Sequence, residues 1–566
     1  MYLVVFLTIF TVLNIKNVLG QSCGNVRYTA PTLARFRQPE LNLMCQRRQR
    51  WEEKAVQSYS RSIKDVLDDD QVAYLQSVQK CGLECMCQKV EFCRKLLSTL
   101  HTVKDFGKVG SGLKSFSDIF KGRRRRKRRQ VELHRYRRQL ISQSVPKVVR
   151  KEYRMMTQEE RNRFHEGLNR LKTSMVNDRS KYDILIIYHN PENAPGAHFG
   201  SAFLPFHREM LRYLETALRM EDAEIGIPYW DTRLEHGLDD PRSSIIWSSE
   251  FAGNSNGPVV VGPFANWRVL DHPIAREIDS NLRLVRSGGQ SEFGSMMRQD
   301  DVNRLLAKQT FRELVYCVDP FYELVHGAVH LWVGGMLGPL ETSPNDPLFF
   351  MLHSFVDYIW EQFRQTRQNR QRRQNEYTNE EDYCNEYSRP EANMKPFSIR
   401  NIDGMSNAYT DNLYQYDDPP TCQGGNPPSC GSPYLFCDVS QNSCVAKIRV
   451  GMSCAGFEGL DPCYDSSCRN GQCVEVNLPP GTPPPTPPPT PAPTPPPTPR
   501  PTPAPTPAPT PPPTPAPTPA PTRPPAPTTQ RPAPPPNPRP APSGPGTSGG
   551  NSVGTYYKGL DSSRRN

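Results

Sequence analysis

Six histidines stand in three apolar stretches of this chain, and they limit the folds open to it more than any other feature. They are His189, His198, His207, His326, His330 and His353. His326 and His330 lie four apart in "HGAVHLW", so on a helix they share one face. Buried polar groups cost free energy unless they are partnered, and six neutral imidazoles satisfy one another poorly. A fold that buries all six therefore calls for a metal centre.

The surroundings of the histidines bear on the kind of metal. The four-apart zinc motif H-E-x-x-H carries a glutamate as general base, whereas Gly327 stands in that place here. No cysteine adjoins these histidines, and ligation by imidazole alone suits copper, zinc, nickel or iron. Two groups of three histidines fit two metal ions with three imidazoles each.

The motifs around the histidines narrow this choice through a resemblance. The stretches "FLPFHR", "PYWD", "HGAVHLWVGG" and "SPNDPLFF", in this order within about residues 150–365, resemble the tyrosinase family of type-3 dicopper proteins. The resemblance implies a mainly α fold, whose core is a four-helix bundle with long loops around two copper ions that dioxygen bridges. It assigns the first three histidines to one copper, A, and the last three to the other copper, B.

Three departures from the family pattern bear on activity. Many members carry asparagine after the first B-site histidine, where it and an upstream glutamate hold a water that deprotonates monophenols. Here that residue is Gly327, and the upstream acids are Asp319 and Glu323. Leu352 replaces a further histidine of many members, and Gly196 stands where some carry a cysteine cross-linked to a ligand. We expect no thioether, and oxidation of catechols is better supported than hydroxylation of monophenols.

Several polar residues near the motifs have two interpretations. Asn345, Asp346 and Asp357 either fix the imidazole tautomers or serve as helix caps. Arg208, which follows a histidine of the first group, is expected to form a salt bridge rather than to contact substrate. The remaining histidines are interpreted as surface or core residues outside the metal centre, and they are His101, His134, His165, His236 and His272.

The amino-terminal part of the chain predicts export. Residues 1–20 are an apolar run that ends in a small residue, as in a secretory signal peptide. Residues 21–129 contain six cysteines and end in "KGRRRRKRR", which supplies eight of the net +11 charges. Either a furin-like protease cleaves this run, which would make 21–129 a pro-segment, or the run is a solvated linker. Because the basic charge is so local, we expect no nucleic-acid surface.

Composition divides the rest of the chain. Residues 130–415 hold ten of the 11 histidines and are predicted to form the dicopper domain. Residues 420–475 hold eight cysteines and are too short for a core of their own, which predicts a disulfide-rich module. Residues 479–545 are a Pro/Thr repeat, which predicts a disordered, polyproline-like segment with candidate O-glycan sites, and 546–566 are a polar tail.

The 16 cysteines fall into even groups, and in an exported protein this favours disulfides. The alternative for the amino-terminal group is a metal–thiolate site at "CMCQ". After the first twenty residues no apolar run is long enough to span a bilayer, so we expect an extracellular protein without a membrane span.

Three functions fit these features. The first is a secreted phenoloxidase that oxidises catechols, and monophenols as a second substrate class, to o-quinones for cross-linking or pigmentation of an extracellular matrix. Its partners would be dioxygen, phenolic small molecules or protein tyrosine and DOPA side chains, and the matrix. The layout also resembles the secreted tyrosinase-like proteins of mollusc shell, a biomineralised matrix. The alternatives are a catalytically silent matrix protein that keeps the fold and a dioxygen carrier, although carriers usually repeat the dicopper unit.

Overall fold

A computed structural model describes residues 30–57, 66–81, 147–425 and 427–475, which belong to one unit that spans Met1–Gly481. The predicted signal peptide, the "CMCQ" site, the polybasic run and the Pro/Thr segment with its polar tail lie outside the described residues. The domain boundaries given above stay predictions. Among the helices that the structure describes, none combines the length and the apolar character needed to cross a bilayer.

Helices provide most of the regular structure of the described residues, which confirms the mainly α prediction. In chain order the α-helices are α1 (Ala30–Arg35), α2 (Gln38–Gln57), α3 (Asp69–Lys80), α4 (Gln158–Thr173), α5 (Lys181–Ile186), α6 (Phe203–Glu221), α7 (Arg233–His236), α8 (Pro273–Ile278), α9 (Gln299–Leu306), α10 (Phe321–Val333), α11 (Leu348–Arg367) and α12 (Arg370–Asn375). Single 3-10 turns are Tyr153–Met155, Ile187–His189, Pro241–Ser243, Ile245–Trp247, Phe311–Leu314, Gly335–Leu337, Ser343–Asn345, Glu380–Asp382, Glu386–Ser388 and Asn401–Met405, and a π-helical turn is Tyr409–Leu413.

The strands are short and pair two by two. They are β1 (Val148–Arg150), β2 (Met175–Val176), β3 (Arg179–Ser180), β4 (Asn256–Pro258), β5 (Val285–Ser287), β6 (Tyr414–Tyr416), β7 (Leu435–Asp438), β8 (Ser443–Ala446), β9 (Ser467–Arg469) and β10 (Gln472–Val474). β1 pairs in parallel with β6, and Val148 lies opposite Tyr414. The other four pairs, β2–β3, β4–β5, β7–β8 and β9–β10, are antiparallel.

Four helical elements form the core: α5 with the turn that follows it, α6, α10 and α11. Tyr182 of α5 meets Phe350 of α11 at a ring-centroid distance of 6.1 Å. The Tyr322 hydroxyl of α10 donates a hydrogen bond of 2.6 Å to the Val356 carbonyl of α11. Most of α11 is buried, as expected for a helix whose apolar residues extend around its circumference. The predicted four-helix bundle is therefore confirmed.

The sequence sets one end of each helix that carries the later histidines. α10 ends at Gly334, whose φ of +60° is a conformation that glycine adopts at little cost. α11 begins after Pro347, and the Asp346 carboxylate accepts a hydrogen bond of 3.0 Å from the Leu348 N–H. Asp346 is therefore a helix cap, in agreement with one of its two interpretations.

A cluster of buried charges joins α6, α11 and β1. The Asp357 carboxylate accepts hydrogen bonds from Arg208 Nε at 2.6 Å and from Arg150 Nη1 at 3.3 Å. Glu215 accepts two bonds from Arg150, at 2.9 and 3.0 Å, and Glu361 accepts one from Arg208 at 2.8 Å. All five side chains are buried. Arg208 is thus a salt-bridge residue, as predicted.

Four disulfides hold the carboxy-terminal module, which confirms the prediction of a disulfide-rich piece. The pairs are Cys422–Cys437, Cys430–Cys444, Cys454–Cys468 and Cys463–Cys473. Leu234 and Leu238 pack into the module from the region of α7. Sequence alone left this pairing open because eight cysteines allow 105 arrangements. Cys317 and Cys384 form a further disulfide within the helical domain.

Helix α2 lies against the bundle with one apolar face. Two polar contacts accompany this face: Arg47 Nη1 donates a hydrogen bond of 2.9 Å to the Gly338 carbonyl, and Lys54 forms an ion pair of 2.7 Å with Glu341. The buried residues of α2 fall on one side of the helix, and they are Leu41, Met44, Cys45, Trp51 and Ala55. The sequence predicts only a cysteine-containing region here, so its contact with the bundle is a finding of the structure.

Replacement of Asp357 by alanine should lower the apparent melting temperature strongly. Burial opposes ionisation of this carboxyl, but Arg208 and Arg150 outweigh burial and keep the pKa of Asp357 below its usual value. Its loss removes one of the two carboxylates that pair with each of these buried guanidinium groups, and loss of a partner from a buried ion pair costs about 3–5 kcal/mol. The control Asp271→Ala breaks an exposed pair with Arg276 and should leave the melting temperature unchanged. Thermal unfolding followed by circular dichroism measures both, and equal shifts would contradict this account of the cluster.

Candidate metal centre

The structure brings the six predicted histidines together as two adjacent groups of three. All six imidazoles are buried, each with at most 3% of its surface exposed. The A triad consists of His189 at the end of the turn after α5, His198 in the next loop and His207 in α6. The B triad consists of His326 and His330, one turn apart on α10, and His353 on α11.

The Nε2 atoms of the A triad converge. His189 Nε2 lies 2.9 Å from His198 Nε2 and 3.2 Å from His207 Nε2. A metal ion about 2.0–2.1 Å from each imidazole nitrogen holds neighbouring nitrogens roughly 3 Å apart. The observed separations therefore fit three ligands of a single ion.

The B triad repeats this geometry. His326 Nε2 lies 2.8 Å from His330 Nε2 and 3.1 Å from His353 Nε2. The two triads also touch, because the rings of His207 and His353 stack with centroids 4.0 Å apart and an interplanar angle of 6°. The two groups thus lie side by side as parts of one centre.

Backbone carbonyls fix the protonation of the A triad. His189 Nδ1 lies 3.0 Å from the Leu340 carbonyl oxygen, and His207 Nδ1 lies 2.9 Å from that of Phe203. A carbonyl oxygen only accepts, so each Nδ1 carries a proton and each Nε2 presents a bare lone pair. Lone pairs about 3 Å apart cannot hydrogen-bond to one another, and a cation between them removes their repulsion. The donor set therefore fits a metal ion better than a network of hydrogen bonds.

The same arrangement holds two histidines of the B triad. His330 Nδ1 lies 3.0 Å from the Leu337 carbonyl oxygen and 2.8 Å from Ser343 Oγ. Because the Ser343 hydroxyl itself donates to the Leu337 carbonyl at 3.0 Å, its oxygen accepts from the histidine. His326 Nδ1 lies 3.3 Å from the Glu323 carbonyl oxygen. Here too the Nε2 atoms are left free for a metal.

A carboxyl group orients His198. Glu323 Oε1 lies 2.9 Å from His198 Nδ1, and the Phe199 N–H donates to both carboxyl oxygens at 3.0 Å. Burial raises the pKa of Glu323 to about 8, although the Phe199 N–H favours the charged form. Of the two upstream acids that the sequence left open, Glu323 is the one that reaches the centre.

Other polar residues near the motifs serve the fold. Asp319 forms ion pairs with an arginine and a lysine at 3.0 and 2.9 Å. Asn345 accepts a backbone hydrogen bond of 2.9 Å, and Asp346 forms a buried ion pair of 2.6 Å with Arg286. Asp357 belongs to the charge cluster described above. The interpretation of Asn345, Asp346 and Asp357 as partners of the imidazoles is therefore wrong; carbonyl oxygens, Ser343 and Glu323 take that role.

Two phenylalanines separate the imidazoles from the rest of the core. Phe203 lies 4.8 Å from His207 and 5.1 Å from a ring of the B triad, as ring centroids. Phe349 lies 4.2 Å from His353 and 4.8 Å from a ring of the A triad. Each phenylalanine precedes a histidine of its own helix by four residues, so it lies on the same face. This repeated F-x-x-x-H spacing is a signal that the sequence analysis missed.

Burial keeps the imidazoles neutral. It lowers the pKa of His198 and His330 to about 3. It also lowers the pKa values of the other four, helped by their neighbouring histidines, well below the ordinary value of imidazole. Neutral imidazole is the form that binds a metal ion, so the centre needs no deprotonation of histidine before it takes up metal.

The residues that depart from the family pattern also have defined surroundings. A Cβ atom at Gly196 would lie 2.9 Å from the Tyr387 carbonyl oxygen, so the backbone packs closely there. Leu352, which directly precedes His353 on α11, is fully buried. A Cβ atom at Gly327 would lie 2.8 Å from Met44 Cε. The space next to the first B-triad histidine is thus filled from α2.

The other histidines lie away from the centre, as predicted, where the structure describes them. His165 is buried and lies 2.5 Å from the Tyr153 hydroxyl through its Nε2. His236 is exposed at the end of α7, and His272 accepts a backbone hydrogen bond of 3.2 Å at the start of α8. His101 and His134 lie outside the described residues.

Comparison with known proteins agrees with this geometry. Residues 179–366, which include all six histidines, match the family model described as the common central domain of tyrosinase. The chain is 39% identical to the tyrosinase-like protein tyr-3 of Caenorhabditis elegans over 338 residues. That alignment covers 58% of this chain and 47% of the nematode protein, so the chain spans about half of that relative's length.

Two further relatives are covered more fully. The chain is 33% identical to a tyrosinase-like protein of Pinctada maxima, an alignment that covers 56% of this chain and 71% of that protein. It is 31% identical to a tyrosinase of Streptomyces antibioticus, in an alignment that covers 44% of this chain and 95% of the bacterial protein. The part shared with the bacterial protein is nearly the whole of that protein.

Metal uptake should release few protons from histidine. Six ordinary imidazoles with a pKa near 6.5 would release roughly four or five protons on metal binding at pH 6. Because burial lowers all six pKa values, these histidines are already neutral at that pH and should release about none. Glu323 is protonated below its pKa of about 8, so it can add at most one proton. Calorimetric titration of the metal-free protein with Cu²⁺ in two buffers of different ionisation enthalpy measures this number, and release of several protons would contradict it.

Proposed function

This chain belongs to the tyrosinase family, and we propose that it is a secreted copper phenoloxidase that oxidises catechols to o-quinones with dioxygen. A dinuclear copper site is a property of that family, and the two histidine triads are consistent with it. We propose that the A triad binds one copper and the B triad the other, each through its Nε2 atoms. The convergence of the Nε2 atoms about 3 Å apart, on rings of which five have Nδ1 against a hydrogen-bond acceptor, is the observation that carries this proposal.

The copper ions would exchange electrons with substrate and dioxygen, and the chain would supply the ligands and the apolar residues around them. When bound, the two ions couple oxidation of two catechols to reduction of one dioxygen to two waters, a four-electron exchange that leaves two o-quinones. The imidazoles hold the ligand positions, and Phe203 and Phe349 exclude water from the inner side of the centre. Glu323 holds the tautomer of His198 as a positioning residue.

Catechols are the proposed substrate class for a structural reason. A catechol has two acidic hydroxyls, whereas a monophenol must first lose its proton and then gain an oxygen. The residue after His326 is Gly327, so no side-chain amide is present there to hold a water for that deprotonation. We therefore propose catechol oxidation as the main activity, with monophenols as weak substrates.

An extracellular role completes the proposal. The five disulfides described in residues 317–473 support an oxidising compartment. A tyrosinase-like protein of the mollusc Pinctada maxima is among the relatives. We propose that the o-quinones cross-link or pigment an extracellular matrix, with free catechols or protein DOPA side chains as the phenolic partners.

The replacement His330→Ala should remove one copper and abolish catechol oxidation. Two imidazoles remain in the B triad, and a copper held by two ligands is lost on dialysis. The copper content should fall from about two to about one per chain, and turnover of 4-methylcatechol should fall by at least about 10³-fold, since both ions act in one step. His236→Ala, an exposed histidine on α7, is the matched control and should keep both ions.

Three outcomes of the same measurements separate the rival functions. Turnover that survives His330→Ala would show that the ligand set is wrong. Two coppers with no oxidation of any catechol would favour the catalytically silent matrix protein. Two coppers with reversible dioxygen uptake and no turnover would favour a carrier.

Glu323→Ala should weaken copper binding in the A triad, and Glu323→Gln should restore much of it. The alanine variant leaves His198 Nδ1 and the Phe199 N–H without an acceptor, so the ring is free to turn. Loss of such an outer partner lowers metal affinity by about 10–100-fold. Glutamine keeps an acceptor oxygen of similar reach, so rescue separates a positioning role from a charge effect. Chelator competition on the copper-loaded protein measures the affinity, and unchanged binding in the alanine variant would contradict the role.

A further inference from the structure

A polar cleft with a volume of about 310 Å³ lies beside the carboxy-terminal half of α11. Glu361, which lines the cleft, follows His353 by eight residues on α11, so it lies about 12 Å further along the helix. The cleft is therefore separate from the metal centre. Its volume falls at the lower end of the range for small-molecule sites, which gives room for one ligand unit. Four side-chain amides line it, and they are Gln362, Gln365, Asn407 and Gln415.

A basic stretch of the chain passes along this cleft. Residues 362–375, "QFRQTRQNRQRRQN", contain five arginines and no acidic residue. Such stretches are typical of surfaces that bind polyanions, and the alternative is a solvated helix end. Two of the five, Arg370 and Arg373, line the cleft. The stretch therefore brings positive charge to a concave site.

The two carboxylates that line the cleft are already paired. Asp411 accepts a hydrogen bond of 3.0 Å from Arg370. Glu361 is shared by two buried arginines, since it forms ion pairs with Arg208 at 2.8 Å and with Arg364 at 3.0 Å. Neither carboxylate is left to neutralise a further cation in full.

Two further cations at the cleft donate to neutral oxygens. Arg373 donates to the side-chain oxygen of Gln365, and Lys147 donates a hydrogen bond of 2.7 Å to the carbonyl of Thr410, which lines the cleft. The Arg373 Nε–H is buried and has no acceptor among the described residues. The cleft therefore has an excess of positive charge and a donor that its own walls leave unsatisfied.

We propose that this cleft binds one acidic sugar unit of an extracellular polysaccharide. The carboxylate or sulfate group of the sugar pairs with Arg373 and Lys147, because a guanidinium presents a fork of donors that matches such oxyanions. The ring hydroxyls bond to the amides, since a hydroxyl donates and accepts and a side-chain amide offers both partners. The choice of an extracellular polymer rests on the proposed secretion, whereas the anionic character of the ligand rests on the cleft alone.

The walls of the cleft favour a saccharide over other polyanions. Recognition of single-stranded nucleic acid relies on aromatic rings on which bases stack. Tyr416 is the only aromatic residue that lines the cleft, and its ring already packs against Tyr358 and Tyr414 with centroids 5.5 Å apart in each case. Four amides around one small site suit a ligand that carries several hydroxyls on one unit, which a sugar has and an acidic peptide lacks.

Binding at this cleft would hold the chain on an acidic matrix without blocking the metal centre. The cleft and His353 lie about two helical turns apart on α11, so both sites can be occupied at once. The products of the centre would then form next to the polymer that holds the protein.

Protection of arginines from phenylglyoxal tests the cleft in the full chain. The polybasic run at 121–129 also attracts polyanions, so peptide mass spectrometry measures the modification rate at each arginine separately. At ten times its Kd, a heparin-derived tetrasaccharide leaves about a tenth of the clefts free and should slow modification of Arg370 and Arg373 by about tenfold. Arg276, an exposed arginine outside the cleft, should react at an unchanged rate.

Three variants relate this protection to the cleft. Arg373→Gln should raise the Kd measured at Arg370 by about tenfold, because a charged hydrogen bond is lost. Lys147→Gln changes an exposed residue, so it leaves the packing intact, and it should raise the Kd by about threefold. Arg242→Gln removes an exposed arginine elsewhere and is the matched control, for which the Kd should stay the same.

Other probes decide the class of ligand. Protection by a hyaluronan tetrasaccharide as well would assign a carboxylate, whereas protection by the heparin fragment alone would assign a sulfate, and neutral maltotetraose should protect neither arginine. Equal or tighter binding of tetraglutamate or tetrathymidylate would overturn the saccharide. Absence of protection by both acidic saccharides, equal protection at Arg276, or one Kd for all variants would overturn the cleft. Turnover of 4-methylcatechol should be unchanged in Arg373→Gln, so the phenoloxidase and the cleft are tested separately.

Discussion

Five of the six imidazoles of the metal centre are held in place by hydrogen bonds at Nδ1, and the rest of the site depends on this constraint. Where Nδ1–H faces a carbonyl oxygen, Nε2 is left as a bare lone pair, as at His189 and His207. The bundle then brings three such lone pairs to within about 3 Å of one another. With no proton between them the lone pairs repel, and a metal ion bound to all three removes this repulsion. Burial supports this state, because it keeps every ring neutral.

Burial of the imidazoles keeps them neutral, but it also limits the access of other molecules to the site. Phe203, Phe349 and Trp51 are among the side chains that pack against the imidazoles and bury them. The first two belong to the helices that carry ligands, so they are fixed. Trp51 belongs to α2, which no described disulfide joins to the bundle. The side of the centre next to α2 is therefore covered by a helix that carries no ligand.

Much of this was predictable from local patterns. The six histidines, the end of α10 at Gly334 and the salt-bridge role of Arg208 follow from spacing, backbone freedom and charge, which a short stretch of sequence contains. The hydrogen-bond partners of the Nδ1 atoms could not be predicted in this way. His189, for example, bonds to the Leu340 carbonyl, and since every residue has a backbone carbonyl, the sequence does not mark this one. Asn345 and Asp346 have suitable side chains but meet other partners. The cover by α2 needed contacts between distant segments, although its apolar stripe was visible.

Anomalous scattering at the copper absorption edge, from crystals of the copper-loaded protein, tests the central claim most directly. We expect two anomalous peaks per chain, one among the Nε2 atoms of the A triad and one among those of the B triad, each bonded to three imidazoles. One peak only, a peak bonded through Nδ1, or copper bound elsewhere on the chain would contradict it.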